Sequence, residues 1–382
     1  MRRSTWLLLF TGLMVMLLMP AASSARTLTV HAGKSIQSAV NRAHPGDRIF
    51  IMPGVYREHG TPCPTESGDC GVVIKKDDIS LIGRPKKNRP VVLEARGDQH
   101  QGIAVGLTGD PSCLSDQSER IDGSLIQNVQ VNGFEGDGVF LFCVDNWRVT
   151  NVSATDNNEY GIFPSHVGAG RVDNSFASGA NDTGIYIGQS HDVEIDHNLA
   201  TGNVSGFEIE NSSNVNAHHN ESTGNTGGIL SFTLSGLDVT SNHDNEIGNN
   251  NVHDNNKANT CVEPGDAVCA VPRGTGILID AADTNNVHNN EVRGNDTLGI
   301  AVSSFCTGRP AEVCSPPPSD IDIFPDGNHI VSNTSLGNGT NPDPSVPSIF
   351  AVDLAWDFTG TGNCWSNNTA ATAFPPNLPP CP

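Results

Sequence analysis

Short glycine-led apolar segments recur along the chain at an almost constant spacing. Each has the pattern Gly-apolar-x-apolar, and successive segments begin 22 or 23 residues apart, with one interval of 48 residues. A fixed period near 22 residues with one strand-like triplet per period is typical of a solenoid of stacked parallel strands. A helical solenoid would need two amphipathic helices per repeat, and a leucine-rich repeat would need a leucine framework that is missing here. The segments begin at Gly138, Gly161, Gly184, Gly206, Gly228, Gly276 and Gly299.

Each period also carries a second strand-like segment that ends in asparagine. Stacking places these asparagines above one another, where their side chains can hydrogen-bond from coil to coil. Only one such segment, residues 246–250, lies inside the 48-residue interval. That interval is therefore predicted to be one coil with two enlarged loops, at about 235–244 and 257–275, and residues 306–325 are a further insertion. The asparagines that define this pattern are Asn198, Asn220, Asn290 and Asn333.

The two ends of the chain differ from the repeat. A strand is predicted at 27–30, and the apolar residues between positions 36 and 43 follow the spacing of a one-sided helix with Ser35 as its N-cap. A solenoid needs its open end covered, and this helix suits that role. We therefore divide the chain into a leader at 1–25, one solenoid domain at 26–371 and a proline-rich C-terminal tail at 372–382.

The first residues and the cysteines both indicate export. Arg2 and Arg3 precede an apolar run at 6–19, and small residues follow, as in a cleaved secretory signal peptide. The run is too short to span a bilayer, and no later stretch approaches that length, so no membrane insertion is predicted. Ten cysteines then predict local disulfides in a secreted or periplasmic protein. The expected pairs are Cys63/Cys70, Cys113/Cys143, Cys261/Cys269, Cys306/Cys314 and Cys364/Cys381.

Two parts of the sequence resemble a known family. The segment SIQSAVNRAHPGDRIFIMPGVYRE, residues 35–58, resembles the entry segment of pectin-lyase-like right-handed parallel β-helix proteins. The Gly-Ile-x-Ile and Asn-Asn coils are similar to their short repeats, and most similar to NosD-type periplasmic proteins and mannuronan epimerase-like carbohydrate-binding proteins. The resemblance implies an all-β, single-stranded right-handed parallel β-helix with an N-terminal capping helix. It also implies an exported protein that binds or modifies a polysaccharide, as lyase, epimerase or hydrolase, or else a non-catalytic NosD-like accessory or surface scaffold.

The motifs of the named enzymes are missing. The Asp-Pro-His-Asp motif of mannuronan epimerases is absent, and the nearest string is Phe-Pro-Ser-His at 163–166. The paired aspartates and Arg-x-Pro-x-x-Arg pattern of pectate lyases are absent as well, and we find no match to the catalytic motif that contains the Asp-Asp pair of polygalacturonases.

Candidate chemistry lies on the outward positions of the glycine-led strands. Strand alternation places outward residues of successive coils in two rows, in which aromatic residues give way to carboxylates. Aromatic rings can stack on sugars while acids bind their hydroxyl groups. We predict that Phe140, Phe163 and Phe232 bind substrate. The predicted catalytic residues are Glu208 and Glu210, which share a face, Asp280 two coils further on, and Tyr186 and His166 as alternative bases. The simpler interpretation of the acids is that they are solvated surface residues.

Charge limits the partners. The formal net charge is −21, which argues against nucleic acid and disfavours polyuronates unless calcium intervenes. Calcium is therefore the preferred candidate cofactor, although no D-x-D-x-D-G string fixes a site. His197 and His219 occupy matching coil positions, with His218 and His288 nearby, so copper or zinc is an alternative; solvent-facing turn histidines explain them more simply, and no metal ligand is assigned. The protein is expected to be a monomer.

Overall fold

Three long parallel sheets run the length of the molecule. The computed structural model describes residues 25–64, 67–107, 111–262 and 265–382, so the predicted leader lies almost wholly outside the described residues. Each coil contributes one strand to each sheet in turn, and strands of successive coils pair in parallel. The chain is thus an all-β single-stranded parallel β-helix, as predicted.

The first sheet contains the glycine-led strands. The asparagine-ended segments, which come next along the chain in each coil, belong to the second sheet. The first sheet comprises Val72–Ile74, Ile103–Val105, Val139–Phe142, Ile162–Ser165, Thr183–Gly188, Ser205–Glu210, Gly227–Phe232, Thr275–Asp280, Leu298–Ser303, Leu354–Trp356 and Ala373–Phe374. The second comprises Thr27–Val30, Arg48–Ile51, Ile79–Gly83, Ile121–Gln127, Val144–Thr150, Gly168–Asp173, His191–Asp196, Asn216–His218, Glu246–Gly248, Asn286–His288, His329–Val331 and Cys364–Ser366.

The third sheet completes each coil. It comprises Gly54–Tyr56, Val91–Glu94, Gln130–Asn132, Ser153–Thr155, Phe176–Ser178, Leu199–Thr201, Glu221–Thr223, Asn251–His253, Glu291–Arg293, Thr334–Leu336 and Thr369–Ala370. Thr61–Pro62 and Asp69–Cys70 form a small antiparallel pair that contacts Val72–Ile74 at the edge of the first sheet. The short helical segments are Pro111–Leu114, Gln117–Glu119, Ala267–Ala270, Ala311–Cys314 and Ser348–Phe350.

Inward-pointing residues of the three sheets form one thin core along the axis. In the coil that begins at Thr183, Ile185 and Ile187 are buried, and Phe207 and Ile209 stack on them from the next coil. The connections vary much more than the strands. Residues 233–245, 254–274 and 304–328 are long loops, at the places where the repeat count predicts insertions.

Three asparagine ladders lie inside the turns. In the ladder predicted from the sequence, the backbone N–H of Asn198 donates to Asn220 Oδ1 at 3.0 Å, and its side-chain amide donates to the same oxygen at 3.0 Å. The pattern continues from coil to coil, so buried backbone donors are satisfied without water. This ladder runs through Asn198, Asn220, Asn250, Asn290, Asn333 and Asn368, and the other two through Asn203, Asn225, Asn255, Asn295 and Asn338 and through Asn245, Asn285, Asn328 and Asn363.

Helix α1, Ile36–Arg42, closes the N-terminal end of the solenoid. The Ser35 hydroxyl accepts from the backbone N–H of Ser38 at 2.9 Å, as expected of an N-cap. Gln37 pairs with the backbone of Val73, accepting at 2.6 Å and donating at 3.1 Å, and so satisfies the exposed edge of the first sheet. The predicted capping role is confirmed.

All ten cysteines are bonded, in the five predicted pairs. At the C-terminal end, Cys364–Cys381 holds the chain across the last coil, and the backbone N–H of Trp365 donates to Pro379 O at 2.7 Å. Ala373–Phe374 forms the last strand of the first sheet, so sheet pairing extends into the predicted tail. Among the described residues, no helix is long and apolar enough to cross a membrane.

Candidate functional site

The two outward rows of the first sheet have the predicted register. Tyr186 pairs with Glu208, which pairs with Leu230, so this row continues from aromatic residues to a carboxylate. In the other row Glu210 pairs with Phe232, and Phe232 with Asp280. The predicted side chains therefore lie on one face.

That face is covered rather than open. Exposure is 3% for Glu208, 9% for Glu210, 5% for Asp280 and 4% for Tyr186. The expectation that outward acids are solvated surface residues therefore does not describe these positions. These side chains are buried because long loops cover the outward face of the sheet, and strand alternation does not predict where loops lie.

One of these loops, residues 233–245, lies along the edge where the first sheet meets the second. Its Leu234 and Val239 carbonyls accept from the Asn211 side chain at 2.8 and 2.6 Å, and its Asp238 N–H donates to Gln189 at 3.1 Å. Ser235 donates to Asp320 of the 304–328 loop at 2.8 Å, so two insertions support each other.

The 254–274 loop forms the opposite wall. Lys257 donates to the Gly202 carbonyl at 2.7 Å, which anchors the loop to the coil that bears Glu208. Asn259 donates to Val268 O and Val271 O, at 2.9 and 3.1 Å, and so holds the loop together with the Cys261–Cys269 disulfide.

Between these walls lies a cluster of three carboxylates and two tyrosines, namely Asp182, Glu208, Glu210, Tyr160 and Tyr186, which we call the acid cluster. Tyr186 donates to Glu210 at 2.7 Å, Tyr160 hydrogen-bonds Asp182, and Thr183 donates to Asp182 at 2.9 Å. Glu208 Oε1 has no hydrogen-bond partner. Asp182 and Tyr160 are absent from the sequence prediction because both lie outside the alternating rows: Asp182 immediately precedes the strand Thr183–Gly188, and Tyr160 lies two residues before the strand Ile162–Ser165.

Burial changes the acidity of every member. It raises the pKa of Glu210 to about 7, against the lowering effect of the Tyr186 hydrogen bond, and that of Asp182 to about 6. The pKa of Glu208 is raised well above its usual range, first by burial and then by the charge of Asp182. Burial also raises the pKa of both tyrosines. The cluster therefore holds carboxyl groups that exchange protons near neutral pH.

A pocket of about 60 Å³ opens onto this cluster. Its walls include Tyr160 and Asp182 from the solenoid and Val262, Asp266 and Val268 from the 254–274 loop. This space is sufficient for water and for a hydroxyl or exocyclic group of a sugar that lies across its mouth.

Asp280 lies apart from the acid cluster, in an ion pair. Arg309 of the 304–328 loop donates to Asp280 at 2.7 Å, and Ser303 donates at 2.8 Å. Burial raises the pKa of Asp280, while Arg309 opposes that shift. No repeat pattern includes Arg309, so sequence periodicity could not identify this partner.

His166 lies at the edge bordered by the 233–245 loop. Its Nδ1 is 2.8 Å from the Ser165 hydroxyl, and its Nε2 is 3.5 Å from Asp238. Burial lowers its pKa, which favours a neutral ring. The structure does not bring His166 into the hydrogen-bond contacts of the acid cluster.

The aromatic residues contact one another more than they face solvent. Phe140 and Phe142 are buried beside Cys113, whose disulfide to Cys143 fixes the overlying segment. Phe163 is half-buried, stacks on Tyr160 with ring centroids 4.2 Å apart and meets Tyr186 edge-on at 4.5 Å. Phe232 is buried between Glu210 and Asp280. Only Phe163 among the three predicted binding residues retains an appreciable exposed area.

Comparison with known proteins identifies the architecture. The profile described as "Right handed beta helix region" matches residues 99–242 and 137–315. No curated protein sequence matches the chain. The A-module of the Azotobacter vinelandii mannuronan C-5 epimerase AlgE4 superposes over 87% of this chain and 88% of its own, with TM-score 0.61 and 16% identity.

Two further solved structures show the same architecture. A double mutant of the periplasmic alginate epimerase AlgG covers 90% of this chain and 73% of its own, with TM-score 0.55 and 14% identity. An alginate lyase from Paenibacillus sp. covers 81% of this chain and 94% of its own, with TM-score 0.51 and 13% identity.

Proposed function

Because this chain belongs to the right-handed β-helix family, we propose that it binds a polysaccharide on the outward face of its first sheet and modifies it by proton transfer at the acid cluster. The titles of similar structures name a mannuronan epimerase and an alginate lyase, which supports a polysaccharide as the ligand. The disulfides support secretion or a periplasmic location.

The observation that carries this proposal is that half-buried Asp182 lies beside buried Glu208 and Glu210, close enough for its charge to raise the pKa of both glutamates. Neighbouring carboxyl groups whose environments push their pKa values apart supply an acid and a base at one pH. At pH 7 the Asp182 carboxyl, with a pKa of about 6, is mostly ionised and accessible through the pocket. Glu208 retains its proton behind it. Asp182 is then the base that meets the sugar, and Glu208 is the proton reservoir.

Charge favours a neutral sugar. Arg309 and Arg120, which flank this face, are each paired with an aspartate, Asp280 and Asp145. A uronate carboxylate beside Asp182 would add a like charge, which calcium would have to offset. Hydrolysis of a neutral polysaccharide therefore fits better than lyase or epimerase chemistry, both of which act on uronates. In that reaction ionised Asp182 takes a proton from the attacking water as the glycosidic C–O bond breaks, and the protonated carboxyl of Glu208 supplies the proton that the departing oxygen requires.

The test is a polysaccharide panel, neutral and uronate, with and without calcium. Reducing ends report hydrolysis, unsaturated products report a lyase, and solvent-proton exchange at C5 reports an epimerase. Asp182→Asn and Glu208→Gln should each lower the rate at least about 100-fold, as expected for a general acid or base. The matched control is Glu221→Gln, which changes an exposed glutamate of the third sheet.

Two results would overturn the proposal. If Asp182→Asn turns over substrate at the rate of the parent protein, the acid cluster does not take part in catalysis. Saturable glycan binding without any product would leave the alternative, a non-catalytic accessory or scaffold.

A further inference from the structure

A second group of charged side chains lies on the outward face of the second sheet. One oxygen of Glu194, one oxygen of Asp196 and one ring nitrogen of His218 lie within 4.8 Å of one another. Glu194 and Asp196 belong to one strand, and His218 pairs with Asp196 in the next coil. The strand register alone therefore brings the three together.

Asp196 is the unusual member. Its side chain is 1% exposed, and its Oδ1 has no hydrogen-bond partner. Its other oxygen, Oδ2, accepts from Arg171 at 2.7 Å and contacts His197 Nδ1 at 2.6 Å. A buried carboxylate oxygen without a donor is costly, so a cation at Oδ1 would stabilise it.

Arg171 leaves one side of the group free. It donates to Glu194 Oε2 at 2.9 Å and to Asp196 Oδ2 at 2.7 Å. Glu194 Oε1 instead lies 2.9 Å from His218 Nε2. The guanidinium thus orients both carboxylates and leaves Asp196 Oδ1 without a donor, while Glu194 Oε1 can bind a cation once the His218 N–H is displaced.

The local charge balance is negative. Asp173 lies in the preceding coil, where Arg148 donates to it at 2.7 and 2.8 Å. With Glu194 and Asp196 there are three carboxylates beside the two arginines, Arg148 and Arg171. One negative charge remains to be offset, and a divalent cation would do so.

His219 provides the support that a metal-binding histidine needs. A carboxylate can only accept, so His218 Nε2 carries a proton toward Glu194 in the metal-free state. His218 Nδ1 is 2.8 Å from His219 Nδ1. When a cation takes the place of the Nε2 proton, that proton moves through solvent to Nδ1, so His218 stays neutral and can donate from Nδ1 to His219 Nδ1, while His219 carries its own proton on Nε2.

We propose that Glu194, Asp196 and His218 form a binding site for a divalent transition metal of the zinc class. One imidazole and two carboxylates suit zinc better than calcium, which prefers oxygen ligands alone. Zinc bound by three protein groups keeps a fourth position for water or another ligand. Glu194 is 37% and His218 20% exposed, so the site is open to solvent on one side. It lies on a different sheet from the acid cluster and does not depend on the proposed function.

The solenoid contains its own control. Two coils further along the same sheet, His288 Nε2 lies 2.6 Å from Glu246 Oε1, which repeats the His218–Glu194 pair. The position equivalent to Asp196 in that coil is Gly248. This second pair has the same histidine and glutamate without the buried aspartate, and should not retain zinc.

The experiment is equilibrium dialysis of the chelator-stripped full chain against zinc chloride, with metal content measured by mass spectrometry. We expect one zinc ion per chain in the parent and in His288→Ala. His218→Ala and Asp196→Asn should each weaken zinc binding at least tenfold. Calcium at equal concentration should not displace zinc.

A folding defect would be recognised separately. Circular dichroism checks each variant, and His218→Gln, at a 20% exposed position, provides a second variant if Asp196→Asn unfolds. The proposal is overturned if the parent protein binds no zinc in this dialysis, or if His218→Ala and His288→Ala weaken zinc binding equally. Neither result bears on glycan turnover at the acid cluster.

Discussion

The outward faces of the first and second sheets both carry acids, but the groups that surround these acids differ between the two sheets. On the second sheet, Glu194, Asp196 and Asp173 contact arginine or histidine of the same or neighbouring coils. On the first sheet, Asp182, Glu208 and Glu210 contact hydroxyl groups and one another, beneath long loops. The repeat alone produces the ion pairs of the second sheet. The inserted loops produce the buried acids of the first sheet, and we therefore place proton transfer on the first sheet.

The largest expected effect comes from the scaffold beneath both faces. Asn250→Ala removes the oxygen that accepts from the Asn220 backbone and side chain, at 2.9 and 3.1 Å. Stranding these buried donors should lower the free energy of unfolding by about 3–5 kcal/mol. Urea unfolding measures the loss. Asn286→Ala, at a half-buried position outside the ladders, should change stability by less than about 0.5 kcal/mol. Equal losses would contradict the role of the ladder.

The next largest effect is a pH dependence of the free energy of unfolding that comes from Glu210 of the first sheet. The folded-state pKa of Glu210 is about 7, above the roughly 4.3 of an unfolded chain. Its protonated form is therefore favoured in the folded state, and stability should decrease as the pH rises from about 4.3 to 7. The loss should be on the order of 2–3 kcal/mol, and Glu210→Gln should remove most of it. Thermal unfolding from pH 4.5 to 8 measures both proteins. An identical slope in parent and variant would contradict the burial argument.

The second sheet should respond with the opposite sign. Arg148 and other donors lower the pKa of Asp173 despite its burial, so its contribution is present above the unfolded pKa of about 3.9 and is lost as the pH falls through the folded value. Arg148→Met should cost about 1–2 kcal/mol at pH 7 because it leaves a buried carboxylate with fewer donors. Urea unfolding at pH 7 and pH 3 tests this, and the difference between the proteins should shrink at pH 3.

The smallest effect is expected at an exposed pair. Glu246→Gln weakens the contact with His288, but Glu246 is half exposed, so the cost should be below about 0.5 kcal/mol. A loss above about 1 kcal/mol in urea unfolding would mean that second-sheet pairs stabilise the solenoid more than solvent screening allows.

The features that recur in every coil could be predicted from the sequence, and the features that depend on the inserted loops could not. The rows through Glu208 and Glu210 follow from a constant coil length, so their register could be predicted residue by residue. The burial of these glutamates could not, because it depends on how the 233–245 and 254–274 loops fold across neighbouring coils. Asp182 was missed for a related reason: it precedes its strand, where alternation assigns no direction.

The same separation explains the other misses. Arg309 lies in an insertion without periodic neighbours, and only the folded loop brings it to Asp280. His218 was noted for its position beside a repeating histidine, but its carboxylate neighbours could be recognised only after the coils were aligned. Chemistry formed within one coil is visible in the sequence, whereas chemistry formed between a coil and a loop is not.

The 48-residue coil has a consequence for how such a protein can change. Its strands Gly227–Phe232 and Thr275–Asp280 pair in the register of the shorter coils, although their connection is more than twice as long. Connection length and strand alignment are therefore independent variables in this architecture. New surface can be acquired or lost at a turn without disturbing the coils above and below, so substrate preference can diverge while the backbone frame is inherited intact.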